Sequence, residues 1–258
     1  MTVEIAIAAS RPPDRDSNLP DGQAGVRLTL NDWRGVHTLA STGTTVDGLM
    51  VGVSGTLRRL ELPAPGSNSA AKHTSGYGIS LDAFVPIIPA KQRDRSNALS
   101  ITGSWVPRSE GIADLYSSLN FGMKAAASTP GATLNSTPID AGLAAYDTAG
   151  RLEAVQSRTW ILGVQYYFPA GGNAWVSANY SQLNSDNAVA LAGIGSRDFN
   201  ASTADGTIKR SRWADANLFY DLTPAVRMGF EYAWFQQTFG DNSVAHNSRY
   251  QFSIFYLF

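Results

Sequence analysis

The chain carries three histidines, His37, His73 and His246, and no cysteine. The histidines stand far apart, and none has a second histidine or a carboxylate at a metal-ligand spacing, so no metal site is expected. Without cysteine there is no disulfide and no thiolate ligand. No nucleophile-elbow, Ser-His-Asp or HExxH pattern occurs. The glycines of GLMVGVSG (48–55) fit neither a phosphate loop nor a dinucleotide fingerprint. Glycine relieving crowding on a curved strand accounts for them better. No catalytic residue and no cofactor are expected.

What remains able to do chemistry is charge. Glu4, Arg27, Arg58, Asp82, Asp215, Asp221, Arg227, Glu231 and Arg249 all lie in segments where every second residue is apolar. Charges of both signs facing one another across water set up a transverse field, which orients charged or dipolar solutes while water still passes. The plainer reading is a set of inter-strand ion pairs that stiffen a wall, and spacing leaves both open. Lys209, Arg210 and Arg212 lie where a long polar segment enters a strand. They read either as a solvated rim or as a contact for lipopolysaccharide phosphates or anionic solutes.

Such residues need a scaffold that sends neighbouring side chains to opposite sides. In YQFSIFYLF (250–258), Tyr250, Phe252, Ile254, Tyr256 and Phe258 fall on one face, and Gln251, Ser253, Phe255 and Leu257 on the other. Period-2 alternation marks a strand between two different surroundings. Val226, Met228, Phe230 and Tyr232 alternate with Arg227, Gly229, Glu231 and Ala233. Ala214, Leu218, Tyr220 and Leu222 alternate with Asp215, Asn217, Phe219 and Asp221, and DLTPA joins the two segments as a hairpin turn. TWILGVQYYFP, AWVSANYSQL, NALSITGSW, SGYGISLDAFVP, GLMVGVSGTLRRLEL, AGVRLTLND and TVEIAIAAS repeat the pattern. The total is about ten strands, each near the ~9–11 residues that a tilted membrane strand needs.

The connections sort by length. DLTPA, FPAGG and PIIPAKQRDR are short, whereas RPPDRDSNLPDG, 106–150 and 184–208 are long and polar. Short turns at one rim and long loops at the other are the layout of an outer-membrane barrel. AGLAAYDTAGRLEAV reads as loop because Gly150 interrupts its helical pattern, and LNFGMKA (119–125) alternates weakly as a further strand. The 258 residues have net charge −1, pI about 6.3 and mean hydropathy −0.14. That balance gives no footprint for nucleic acid, and the hydropathy suits a barrel whose two faces average out. No run of ~20 apolar residues is present, and MTVEIAIAAS lacks the features of a signal peptide.

In order, TWILGVQYYFP, AWVSANYSQLNSDN, RWADANLFYDLTPAVRMGFEYAWFQQTF and RYQFSIFYLF resemble the DcaP-like trimeric porins of Gram-negative outer membranes. GLMVGVSGTLRRLEL and NALSITGSW extend the resemblance upstream. It implies a barrel of about sixteen strands, a homotrimer and a preference for small anionic solutes. Only about ten strands are legible, so the chain is either the C-terminal portion of a larger barrel, which the alignment of its strands with the family favours, or a smaller closed barrel with a narrow pore. The resemblance also implies that the terminal aromatic, Phe258, is read by the outer-membrane assembly machinery.

The expectations are these. The fold is all-β, a transmembrane antiparallel up-and-down β-barrel, with residues 1–258 as one domain in a bacterial outer membrane. Function is passive diffusion of small hydrophilic solutes through a non-enzymatic porin, with anions preferred as the resemblance implies; the alternatives are a structural or enzymatic barrel with a closed lumen and a secreted all-β binding module. The charged residues named above line the pore. The 106–150 loop folds inward as a constriction through Arg108, Glu110, Asp114 and Lys124. Tyr250, Phe252, Tyr256 and Phe258 anchor the chain at the interface with the bilayer and lipopolysaccharide.

Overall fold

The computed structural model describes residues 1–11, 19–38, 44–63, 71–91, 94–113, 143–147, 149–169, 171–195 and 205–257. Ten strands form one antiparallel sheet in which almost every strand pairs with its neighbours in sequence. They are β1 (Thr2–Ser10), β2 (Asp21–Thr38), β3 (Thr44–Pro63), β4 (Ala71–Ile88) and β5 (Leu99–Glu110), then β8 (Gln156–Tyr167), β9 (Ala174–Ser185), β10 (Ile208–Thr223), β11 (Val226–Phe239) and β12 (Val244–Tyr256). Between β5 and β8 sits a separate hairpin of β6 (Ala144–Tyr146) and β7 (Leu152–Ala154). One helix, α1 (Ala188–Gly195), lies between β9 and β10. Strand order is β1-β2-β3-β4-β5-β8-β9-β10-β11-β12, which leaves β1 and β12 at its two ends.

Register carries the alternation of the sequence across the whole sheet. Val26, Val53, Leu81, Trp105 and Trp160 stand opposite one another on successive strands. One residue along, the row reads Glu4, Arg27, Gly52, Asp82, Ser104, Ile161, Ser181, Trp213, Phe235 and Asn247. A slip of one residue would exchange the two faces entirely. The apolar face is open: Leu162 is 52% exposed, Phe230 48% and Ile254 66%. Soluble proteins rarely leave so large an apolar surface bare, and no second layer of described residues covers it.

Buried clusters lie instead on the polar face, one toward each rim. At the short-turn rim, where DLTPA and FPAGG connect strands, Val36, Ala98, Tyr167, Trp175 and Phe219 pack together. At the long-loop rim the β6–β7 hairpin and α1 pack onto Leu60 of β3 and Leu183 of β9. Residues 143–154 thus form a hairpin and not the open loop expected from Gly150. That glycine takes φ +71° and closes the turn, donating its N–H to the Asp147 carbonyl at 2.9 Å. The loop also starts later than expected, because β5 continues to Glu110. LNFGMKA lies outside the described residues.

β3 is 20 residues long, roughly 65 Å at ~3.3 Å per residue. Even tilted, it exceeds a hydrocarbon band of ~25 Å. The long strands β2 to β4 therefore project beyond any such band.

Candidate channel wall

The period of two places all nine charged residues read from the sequence on the polar face, since each shares its parity with the row of Glu4, Arg27 and Asp82. They divide into three settings. In the first, toward the open part of the wall, Glu4 accepts from Arg27 Nε at 2.6 Å across β1 and β2, and Glu231 accepts from Arg249 Nη2 at 2.5 Å across β11 and β12. Both pairs reach solvent and so add little to stability. Their larger effect is on the potential beside the wall.

Asp82 and Asp215 sit midway and have no cation paired to them among the described residues. Asp82 accepts from the Ser80 hydroxyl at 3.1 Å. Asp215 accepts from Asn217 Nδ2 at 2.6 Å, Trp213 Nε1 at 2.8 Å and Asn179 Nδ2 at 2.9 Å. Neutral donors of this kind hold the carboxylate oxygens in place without cancelling their charge. Beside Asp82, though not Asp215, a cavity of about 550 Å³ opens, bounded by Arg27, Thr29, Asp82, Thr102 and Ser104 among others.

The second setting is the short-turn rim. Asp221 is clasped by Arg95 at 2.6 Å and Arg227 at 2.7 Å. Arg227 is buried, its guanidinium 4.6 Å from the Trp175 ring centre, and Arg95 lies 5.3 Å from the same ring. Tyr167, Trp175 and Phe219, opposite one another on β8, β9 and β10, stack at 5.7 and 5.1 Å. Gly229 permits this, since a Cβ there would come within 2.7 Å of the Phe219 ring. Sequence reading missed Arg95 and the ladder, although three aromatics of inward parity on adjacent strands were its signal.

The third setting is the long-loop rim. Arg58 and Asp21 form a buried pair at 2.7 Å, their side chains 2% and 1% exposed. Arg58 is therefore enclosed, and does not face open space as a bare strand position suggested. Its partner was missed because Asp21 opens β2 directly after a loop.

The four residues assigned to an inward loop fare differently. Arg108 and Glu110 belong to β5, with Arg108 Nη2 2.6 Å from Glu110. Tyr77 of the apolar face donates to the same carboxylate at 3.3 Å, which puts this pair at the rim of that face and not in an inward loop. Asp114 and Lys124 lie outside the described residues. What does cover the polar face there is the β6–β7 hairpin. Asp147 in its turn is held below the usual carboxylate range, first by the Arg151 backbone N–H and then by the Arg151 guanidinium.

Tyr250, Phe252 and Tyr256 are exposed on the apolar face, and Phe258 lies outside the described residues. His73 and His246 are exposed. Among the described residues no three His, Asp or Glu side chains converge as a metal would require. No described helix is long and apolar enough to cross a membrane, which says nothing about strands.

The sheet matches, at 13% identity and a TM-score of 0.58, the crystal structure of the outer membrane channel DcaP of Acinetobacter baumannii, over 98% of this chain and 58% of that one. The fold is the antiparallel up-and-down sheet of that channel. The porin-type sheet thus spans rather more than half the length of that channel. A structure of the NanC porin overlaps more weakly, with 10% identity and a TM-score of 0.36 over 98% of this chain and 97% of that one. No family model and no curated protein sequence matches the chain.

Proposed function

We propose that the chain forms the wall of a passive diffusion channel for small hydrophilic solutes in a bacterial outer membrane. The observation that carries this is the division of one sheet into an uncovered apolar face and a polar face lined with fixed charges of both signs. Glu4, Arg27, Asp82, Asp215, Glu231 and Arg249 line the solute path, while the Asp21–Arg58 and Asp221–Arg95–Arg227 groups fix its two rims. The β6–β7 hairpin narrows the path at the long-loop rim. By resemblance to DcaP-like porins, small anions are the preferred solutes and the working unit is a trimer. Tyr250, Phe252 and Tyr256 anchor the wall at the interface, and Phe258 serves assembly.

One observation favours a rival. Buried clusters toward both rims of the polar face would suit a closed interior with a structural or enzymatic role. Planar-bilayer recording separates the two. The channel reading expects discrete conductance steps that shrink as larger solutes are added. A folded, membrane-inserted preparation with no steps would overturn it.

A further inference from the structure

On the apolar face, toward the long-loop rim, the surface changes within two residues along each strand. The row Leu162, Tyr180, Ala214, Trp234 is succeeded by Trp160, Gln182, Arg212, Gln236 and then by Arg158, Asn184, Arg210, Thr238. Trp160 and Tyr180 lie ring to ring at 5.2 Å, an aromatic pair of the kind that marks a membrane interface. The arginines begin at the height of Trp160 and continue above it.

Their partners are unusual. Arg212 donates to the amide oxygens of Gln182 at 3.1 Å and Gln236 at 3.3 Å, and Arg210 to that of Asn184 at 2.9 Å. Among the described residues neither meets a carboxylate. Arg158 alone is neutralised, by Asp186 at 2.6 Å. Neutral amides orient a guanidinium without cancelling its charge. With five N–H donors on each guanidinium, both arginines keep donors to spare.

We infer that Arg210 and Arg212 form a binding site for the phosphate groups of an outer-leaflet glycolipid. An arginine on the lipid side costs ~2–4 kcal/mol at the bilayer midplane and ~0–1 near the interface. The site is therefore stable only at headgroup depth, where phosphates are the anions at hand. Guanidinium takes phosphate oxygens in bidentate fashion, and adjacent strands ~4.8 Å apart set the two groups among several hydrogen-bonding amides. The site rests on the membrane placement proposed above.

The test uses the full chain, folded in detergent, with native mass spectrometry of bound lipid. The probes are bisphosphorylated lipid A, the same lipid without phosphates, and inorganic phosphate alone. The expected result is preferential retention of the bisphosphorylated lipid, falling ~10-fold or more in R210Q/R212Q. R34Q, which removes a charge at the opposite rim, should retain it as wild type does. Heat-modifiable migration of each variant checks folding. Equal retention of both lipids, or equal occupancy by inorganic phosphate, overturns the site while leaving the channel reading intact. A double variant that dissociates an oligomer without changing lipid retention assigns the patch to a protein contact and also overturns it. Failure of the wild-type chain to enter vesicles at all would instead sink the membrane placement.

Discussion

Replacing Leu162 by arginine distinguishes lipid from water on the apolar face by magnitude alone. Leu162 lies midway along β8, is 52% exposed, and faces Gly103 and Tyr180 on its neighbours. If water covered that face, a half-exposed leucine could become arginine for within about ±0.5 kcal/mol. Against acyl chains at mid-depth the same change costs ~2–4 kcal/mol. At 1.36 kcal/mol per decade that is roughly a 30- to 900-fold shift in the unfolding equilibrium. The matched control is Ser104→Arg, one strand away on the polar face and in register with Asp82, which should cost little. Urea unfolding in phospholipid vesicles, followed by loss of heat-modifiable migration, measures both. Equal, small effects for the two substitutions would refute the assignment of faces.

Three further outcomes follow from the polar face. Arg227→Ala strips a buried cation from Asp221 and from the Trp175 ring, and should destabilise the chain by ~3–5 kcal/mol in the same assay. Arg27→Glu replaces an exposed ion pair with two like charges in solvent, so the unfolding midpoint should move little. The reversal potential across a salt gradient should nonetheless move toward cations. Asp147 has its folded-state pKa depressed from the ordinary 3.8. Its contribution is therefore complete above that value and is lost as pH falls below it. The protection factor of the Arg151 amide, which donates to Asp147 at 2.7 Å, should fall below about pH 4 and stay constant between neutrality and pH 5 once the intrinsic pH dependence of exchange is divided out.

Most of the sheet was legible because a two-residue period needs no tertiary information. Val226 to Ala233 declare their faces from sequence alone, and a hairpin turn as short as DLTPA leaves little freedom of register. What was not legible depends on contacts between distant segments. The hairpin at 144–154 forms because Leu143, Leu152 and Ala154 find Leu60 and Leu183, partners far away in the chain. Its local pattern is too short to announce a strand. The constriction assignment of Arg108 and Glu110 failed for a related reason: Pro107 and the polar run after it look like a loop, yet β5 passes an irregularity there and pairs again at Ser109 and Glu110. Parity was enough to put the nine charged residues on the polar face, whereas Asp21 and Arg95, which form ion pairs at the two rims, stand outside clear alternation.

Cysteine accessibility along β9 tests the central claim most directly, since the chain has no cysteine of its own. Single cysteines at positions 176 to 181 in vesicle-inserted protein would be offered a membrane-impermeant maleimide and, in parallel samples whose thiol was labelled with a small fluorophore before insertion, a lipid-phase quencher. Positions 177, 179 and 181 should take the maleimide, and 176, 178 and 180 should respond to the quencher alone. Labelling by the maleimide at all six, or no response to the lipid-phase quencher anywhere along the strand, would contradict the account.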